Sequence, residues 1–181
     1  MAITLRNTTP YIAQYVVKKG EQVIARLPGI EPGAQMLIPT EDTYQVVAST
    51  LIDGNTYTSA PMDANGPTSF LAQIKQVRDQ GTYEFDVVQG PSTVSNQMQF
   101  QKTTLAPVTF TIEKDGRPIQ AVVVSDSFTM QTLDISDVFY VYAVINGVTT
   151  DTVTTSNADA VVTAVVETSS LEYGYFSLEV G

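Results

Sequence analysis

Apolar and polar residues alternate along most of the chain, beginning with Ile3 and Leu5 set between Thr4 and Arg6. A period of two places successive side chains on opposite faces, which is the pattern of a strand with one buried side. Similar strand-forming runs predict strands over 36–38, 45–50, 83–87, 98–100, 128–133 and 175–180, and an apolar run without alternation predicts one over 138–145. Turn residues separate them: Lys19-Gly20-Glu21, Asp53-Gly54-Asn55, Asp115-Gly116 and Asn146-Gly147. Asn-Gly and Asp-Gly pairs favour tight hairpins because a type I′ turn needs positive φ at both central positions.

The predicted elements recur. Lys18-Lys19-Gly20-Glu21-Gln22-Val23-Ile24-Ala25 reappears in looser form as Lys114-Asp115-Gly116-Arg117-Pro118-Ile119-Gln120-Ala121. Asn7-Thr8-Thr9 and Lys102-Thr103-Thr104, each closing an opening strand, lie 95 positions apart. The hairpin glycines Gly20 and Gly116 are 96 apart, which sets Val23 and Ala25 opposite Ile119 and Ala121. Gly54 and Gly147 are 93 apart, as are the closing strands that follow Gly81 and Gly174. Order-preserving matches at nearly constant spacing are what a duplicated unit with small loop changes leaves behind.

This reading predicts two tandem domains, 1–90 and 97–181, joined by a short polar linker at 91–96. The stretch 70–78 carries competing signals. Phe70, Leu71, Ile74 and Val77 have helical spacing, but the matching stretch from Ala160 to Val166 is dense in β-branched residues, which favours a strand. With roughly six or seven short strands per half and a turn about every ten residues, each half suits a small antiparallel β-sandwich. The layout resembles immunoglobulin-like or fibronectin type III architecture, although neither half has the Cys and Trp core marks of a true immunoglobulin domain.

Composition narrows the chemistry. Charged residues make up 15% of the 181, and the net charge is −10, so a phosphate backbone is repelled and nucleic acid is not expected as a partner. There is no cysteine and no histidine, which rules out disulfides, thiolate metal sites, and Ser-His-Asp or Cys-His nucleophile systems. No phosphate-cradling glycine loop occurs, and no cofactor is expected. Neither a secretory signal nor a membrane-spanning run is found, so synthesis in the cytoplasm is expected, with an extracellular particle or assembly reachable without a cleaved signal.

Few candidate sites survive. Glu84 and Asp86 project from one strand face and could pair as carboxylates, but alternation against Tyr83, Phe85 and Val87 explains them as a solvated outer face. Asp53, Asp63 and Asn65 form a weak calcium candidate, since hard cations want clustered oxygen ligands, although Asp, Asn and Gly are turn formers first. Asp134 and Asp137 read the same way. Nine tyrosines, among them Tyr11, Tyr44, Tyr57, Tyr140 and Tyr173, leave carbohydrate binding open, but no Trp supplies the larger stacking platform.

The most unusual stretch is Val138-Phe139-Tyr140-Val141-Tyr142-Ala143-Val144-Ile145, which carries no charge and is apolar on both faces. Ala160 to Val166 is similar, broken only by Thr163. A strand apolar on both sides needs a cover on its outer face. Phe139, Tyr140, Val141, Tyr142, Val162, Ala164 and Val166 are therefore expected at an interface, covered by the first domain or by another copy of the protein, with the tyrosines or the Phe139–Val141 pair as anchors. The expected function is that of a non-enzymatic structural or assembly protein, a homo-oligomer or part of a larger particle such as a virion, tail or surface filament. A carbohydrate- or cell-surface-binding module is the alternative.

Overall fold

The computed structural model describes residues 1–41, 43–77, 81–167 and 175–181; Tyr173 and Gly174 lie outside them. Among the described residues there are strands and no helix. The first half carries β1 (Ala2–Asn7), β2 (Ala13–Lys19), β3 (Gln22–Arg26), β4 (Gln35–Pro39), β5 (Tyr44–Ile52), β6 (Asn55–Thr58), β7 (Met62–Ala64), β8 (Thr68–Val77) and β9 (Thr82–Pro91). The second carries β10 (Gln97–Lys102), β11 (Val108–Lys114), β12 (Arg117–Val124), β13 (Gln131–Asp134), β14 (Phe139–Ile145), β15 (Val148–Thr149), β16 (Val153–Thr155), β17 (Val161–Val166) and β18 (Phe176–Val180). The ambiguous stretch 70–78 is thus strand through Val77.

The chain folds into two compact units, but their boundaries differ from the expected 1–90 and 97–181. One unit joins Met1–Asp42 to Ser136–Gly181, and the other is Thr43–Ile135. The expected linker, 91–96, lies inside the second unit. It cannot separate domains because β8 pairs with β9 on one side and with β10 on the other, which draws both flanks of the segment into one sheet. The side chain of Gln99 binds the segment too, accepting from the Thr93 amide at 3.1 Å and donating to Thr93 Oγ1 at 2.8 Å.

The first unit has two sheets, in the orders β18-β17-β1-β4 and β15-β14-β2-β3, with β16 also on β14. The second has β9-β8-β10-β13 and β6-β5-β11-β12, with β7 also on β5. Each strand of one half of the sequence has a counterpart nine places on, and the substitution turns one unit's strand orders into the other's. In each unit one sheet is mixed and the other antiparallel, because β1 runs parallel to β17 and β10 parallel to β8. Parallel neighbours need a long connection between them, and here the partners come from different halves of the sequence.

Alternation produces the cores. In the first unit Ile3, Leu5, Tyr15, Val17, Phe139, Val141, Val162 and Ala164 are all buried. In the second, Phe70, Phe100 and Phe110 form an aromatic cluster with ring centroids 5.5, 6.4 and 5.1 Å apart. By strand register, Val162 pairs with Leu5 as Phe70 pairs with Phe100. Burying each large side chain contributes about 1.5–3 kcal/mol.

Turns follow their residues. Asp53-Gly54, Asp115-Gly116 and Asn146-Gly147 have positive φ at both positions, between 49° and 79°, as hairpin loops of this kind demand. The β2–β3 and β11–β12 hairpins each carry a bulge, between Val17 and Lys18 and between Ile112 and Glu113. The register shifts at Ile24 in one hairpin and at Ile119 in the other, so these two residues correspond, and the glycine-based alignment of Val23 with Ile119 is one residue out of step.

Candidate functional site

β14 decides where the expected interface residues go. Its inward residues Phe139, Val141, Ala143 and Ile145 are buried, as are Val162 and Ala164 of β17. These belong to the unit's own core, in which β14 pairs with β2 and β17 with β1 of the first half: alternation sends them inward. Tyr140, Tyr142 and Val144 point the other way. Tyr140 is 37% exposed, and Tyr142 and Val144 are half-buried. Val166, also 37% exposed, ends β17.

The outer face around β14 is assembled from neighbouring strands. On one side β2 places Lys18 opposite Tyr140, Val16 opposite Tyr142 and Gln14 opposite Val144. On the other, Thr154 of β16 lies opposite Tyr140 and Thr149 of β15 opposite Val144. The result is an apolar stripe of Tyr140, Tyr142, Val144 and Val16, bordered by Lys18 and by threonines. Sequence reasoning found the stripe but could not decide which of its two faces was the outer one.

At one end of the same unit lies an open depression of about 510 Å³, lined by residues that include Tyr11, Ile12, Gln14, Pro28 and Asn146. Tyr11 is 45% exposed, and its ring meets Phe176 edge-on at 5.8 Å. Gln14 donates from Nε2 to the Pro28 carbonyl at 3.1 Å. This combines an aromatic ring with amide groups. Of the other tyrosines, Tyr44 is buried, with Lys114 Nζ 5.9 Å from its ring centroid, and Tyr57 is half-buried.

The carboxylate candidates do not converge. Asp86 accepts from Gln73 Nε2 at 3.1 Å and lies 3.7 Å from Lys75 Nζ, so with Glu84 it belongs to a polar sheet face. Asp53 follows the end of β5, whereas Asp63 pairs with Gln45 at the start of that strand. At about 3.3 Å per residue this separates the two by roughly 25 Å, too far to share a cation. Asp63 instead accepts from Gln45 Nε2 at 3.3 Å, and Asn65 is exposed. Asp137 pairs with Lys19 at 3.3 Å. Among the described residues no three acidic groups gather to hold a metal, and no helix is long and apolar enough to cross a membrane.

One polar cluster escaped sequence reasoning because its members are far apart in the chain. Lys102, 2% exposed, donates from Nζ to the Thr104 carbonyl at 2.7 Å and to Ser127 Oγ at 3.0 Å. A Ser–Lys pair can serve as nucleophile and base. Here the Ser127 hydroxyl itself donates to the Thr104 carbonyl at 2.8 Å, so both groups converge on that oxygen and tie two loops together. Leu105 and Phe128, 100% and 99% exposed, project from those loops. Leu105 carries no periodic signal, and Phe128, expected to open a strand over 128–133, lies ahead of β13, which begins at Gln131.

Comparison with known proteins adds no likeness to argue from: no family model matches the chain, and no curated protein and no solved structure matches it.

Proposed function

We propose that this chain is a non-enzymatic structural or assembly protein, built by duplication of one sandwich unit of immunoglobulin- or fibronectin III-like layout. It self-associates or decorates a larger particle such as a virion, tail or surface filament. The observation that carries the reading is the outer face of β14, where Tyr140, Tyr142 and Val144 form a stripe without a charge on the strand. Tyrosine supplies large contact area at small entropic cost and keeps a hydroxyl for the wet rim, which suits an interface anchor. Duplication is supported by the strand-for-strand correspondence of the two units.

Light scattering over a range of concentrations tests the assembly reading. The wild-type mass should rise above that of one 19.6 kDa chain, and Tyr142→Lys should hold it at that value. Two proteins that both stay monomeric throughout would overturn it.

A second reading, carbohydrate or cell-surface binding, is favoured by the depression beside Tyr11, whose exposed ring could stack on a pyranose while Gln14 and Asn146 supply amide groups. A glycan-array signal from a monodisperse monomer, lost in Tyr11→Ala, would favour it over assembly.

A further inference from the structure

The first unit is discontinuous, made of Met1–Asp42 and Ser136–Gly181. Its halves are held together by two ladders. β2 and β14 pair antiparallel from Ala13 with Ile145 to Lys19 with Phe139, and β1 and β17 pair parallel from Thr4 with Val161 to Asn7 with Ala164. Thr8 adds a backbone and a side-chain hydrogen bond to the Ala164 carbonyl, at 3.0 and 2.7 Å. Neither ladder uses a residue from Thr43–Ile135. Residues 136–181 thus contain the strand edges on which 1–42 docks, and a second copy of the chain presents the same edges.

The chain already practises this exchange internally. β1–β4 join β14–β18, while β10–β13 join β5–β9, so each half of the sequence lends its first four strands to the other half. Short segments lead across, 40–43 between β4 and β5 and 135–138 between β13 and β14. Swapping identical elements between protomers needs no new surface, and short hinges favour it.

We infer that two copies of the chain exchange residues 1–42, each seating β1–β4 on the β14–β18 half of the other. The exchange supplies a mechanism for the assembly reading and rests on that reading for its biological purpose. Closure within one chain competes with it. With an effective concentration on the order of 1 mM for closure, refolding at about 0.1 mM leaves roughly one chain in ten exchanged, and tenfold dilution lowers that share about tenfold.

Introduced cysteines test this directly, since the chain has none of its own. Gln14 and Val144 are register partners on the outer face. Full-length Gln14→Cys and Val144→Cys proteins are unfolded together, refolded at increasing concentration and oxidised. A disulfide-linked dimer should appear in the mixture, grow with concentration, and exceed that in either protein alone or in the out-of-register mixture of Gln14→Cys with Tyr140→Cys. Dimer no more abundant than in these controls would overturn the exchange. If either variant fails to fold, Lys18→Cys and Tyr140→Cys form the next in-register pair.

The double variant Gln14→Cys/Val144→Cys, oxidised within one chain, separates the two ideas. Loss of assembly in the locked chain, regained on reduction, supports exchange. Assembly that survives the lock overturns exchange and leaves the outer-face reading standing. A wild type that never assembles sinks the assembly reading, and the cross-link then decides exchange by itself.

Discussion

Asn7 and Lys102 perform the same task in the two units. Each is buried at the end of the first strand of its half of the sequence, and each donates at 2.7 Å to a backbone carbonyl of the loop that follows, Tyr11 in one case and Thr104 in the other. Asn7 also donates to the Ile30 carbonyl at 2.8 Å and accepts from the amide and hydroxyl of Thr9. Lys102 reaches Ser127 instead. The side chains differ, but each adds a donor to loop carbonyls that also accept from Thr9 Oγ1, the Ala13 amide or Ser127 Oγ, and so ties a strand end to its loops.

Removing either staple should destabilise the protein. Asn7→Ala strips partners from two carbonyls and an amide and should cost about 3 kcal/mol, while Lys102→Met, which keeps the apolar stem and leaves Ser127 on the Thr104 carbonyl, should cost about 2 kcal/mol. Urea unfolding midpoints measure both. A wild-type midpoint in either variant would show that its staple holds nothing.

Tyr15 should make stability fall at alkaline pH. Its ring is buried and its hydroxyl donates to the Arg6 carbonyl at 2.6 Å; burial raises its pKa well above the ordinary tyrosine range, against a smaller opposing effect from a backbone hydrogen bond at Ala164. The unfolded chain releases this proton near pH 10 while the folded chain retains it, so Tyr15's contribution is fully present below pH 10 and is lost as pH rises beyond it, by up to about 1.4 kcal/mol per pH unit. Comparing wild type with Tyr15→Phe between pH 8 and 11.5 isolates the term. The variant should be less stable at pH 8 and have the shallower alkaline slope; parallel curves would contradict the assignment.

Gly147→Ala should cost about 1–2 kcal/mol, because Gly147 has φ of 77° in the β14–β15 turn, where a Cβ is strained even with open space around it. Thermal unfolding reads this. An unchanged melting temperature would mean that the turn readily adopts another conformation.

Phe110→Ala should be the most damaging of these changes, at about 3–5 kcal/mol, because it opens a cavity beside the stacked rings of Phe70 and Phe100. Phe110→Leu, which refills part of that space, should recover much of the loss. Equal midpoints for Phe110→Ala and Phe110→Leu would show that the cluster collapses around the gap.

Most of the secondary structure was legible in the residues. Alternation located β1 and β10, strand-forming apolar runs located β5 and β14, and paired turn residues marked the hairpins at Asp53-Gly54 and Asn146-Gly147. The stripe of β14 was visible too, because seven consecutive uncharged residues cannot present a charged face to water on either side. Asn7 and Lys102 were aligned by their shared neighbours, but nothing local showed that the two side chains would do equivalent work.

By itself, the sequence determined that the chain is built of strands, where its tight hairpins turn, and that turn glycines and apolar positions recur between its halves, since each depends on residues a few places apart. Only the tertiary structure decided which strands meet. Pairing β1 with β17 and β10 with β8 divides the chain at 42 and 135 rather than at the expected linker. The physical reason is that the halves offer nearly interchangeable edges. A periodic apolar pattern says that a strand needs a partner, while register, burial and connection length select which copy of that partner it finds.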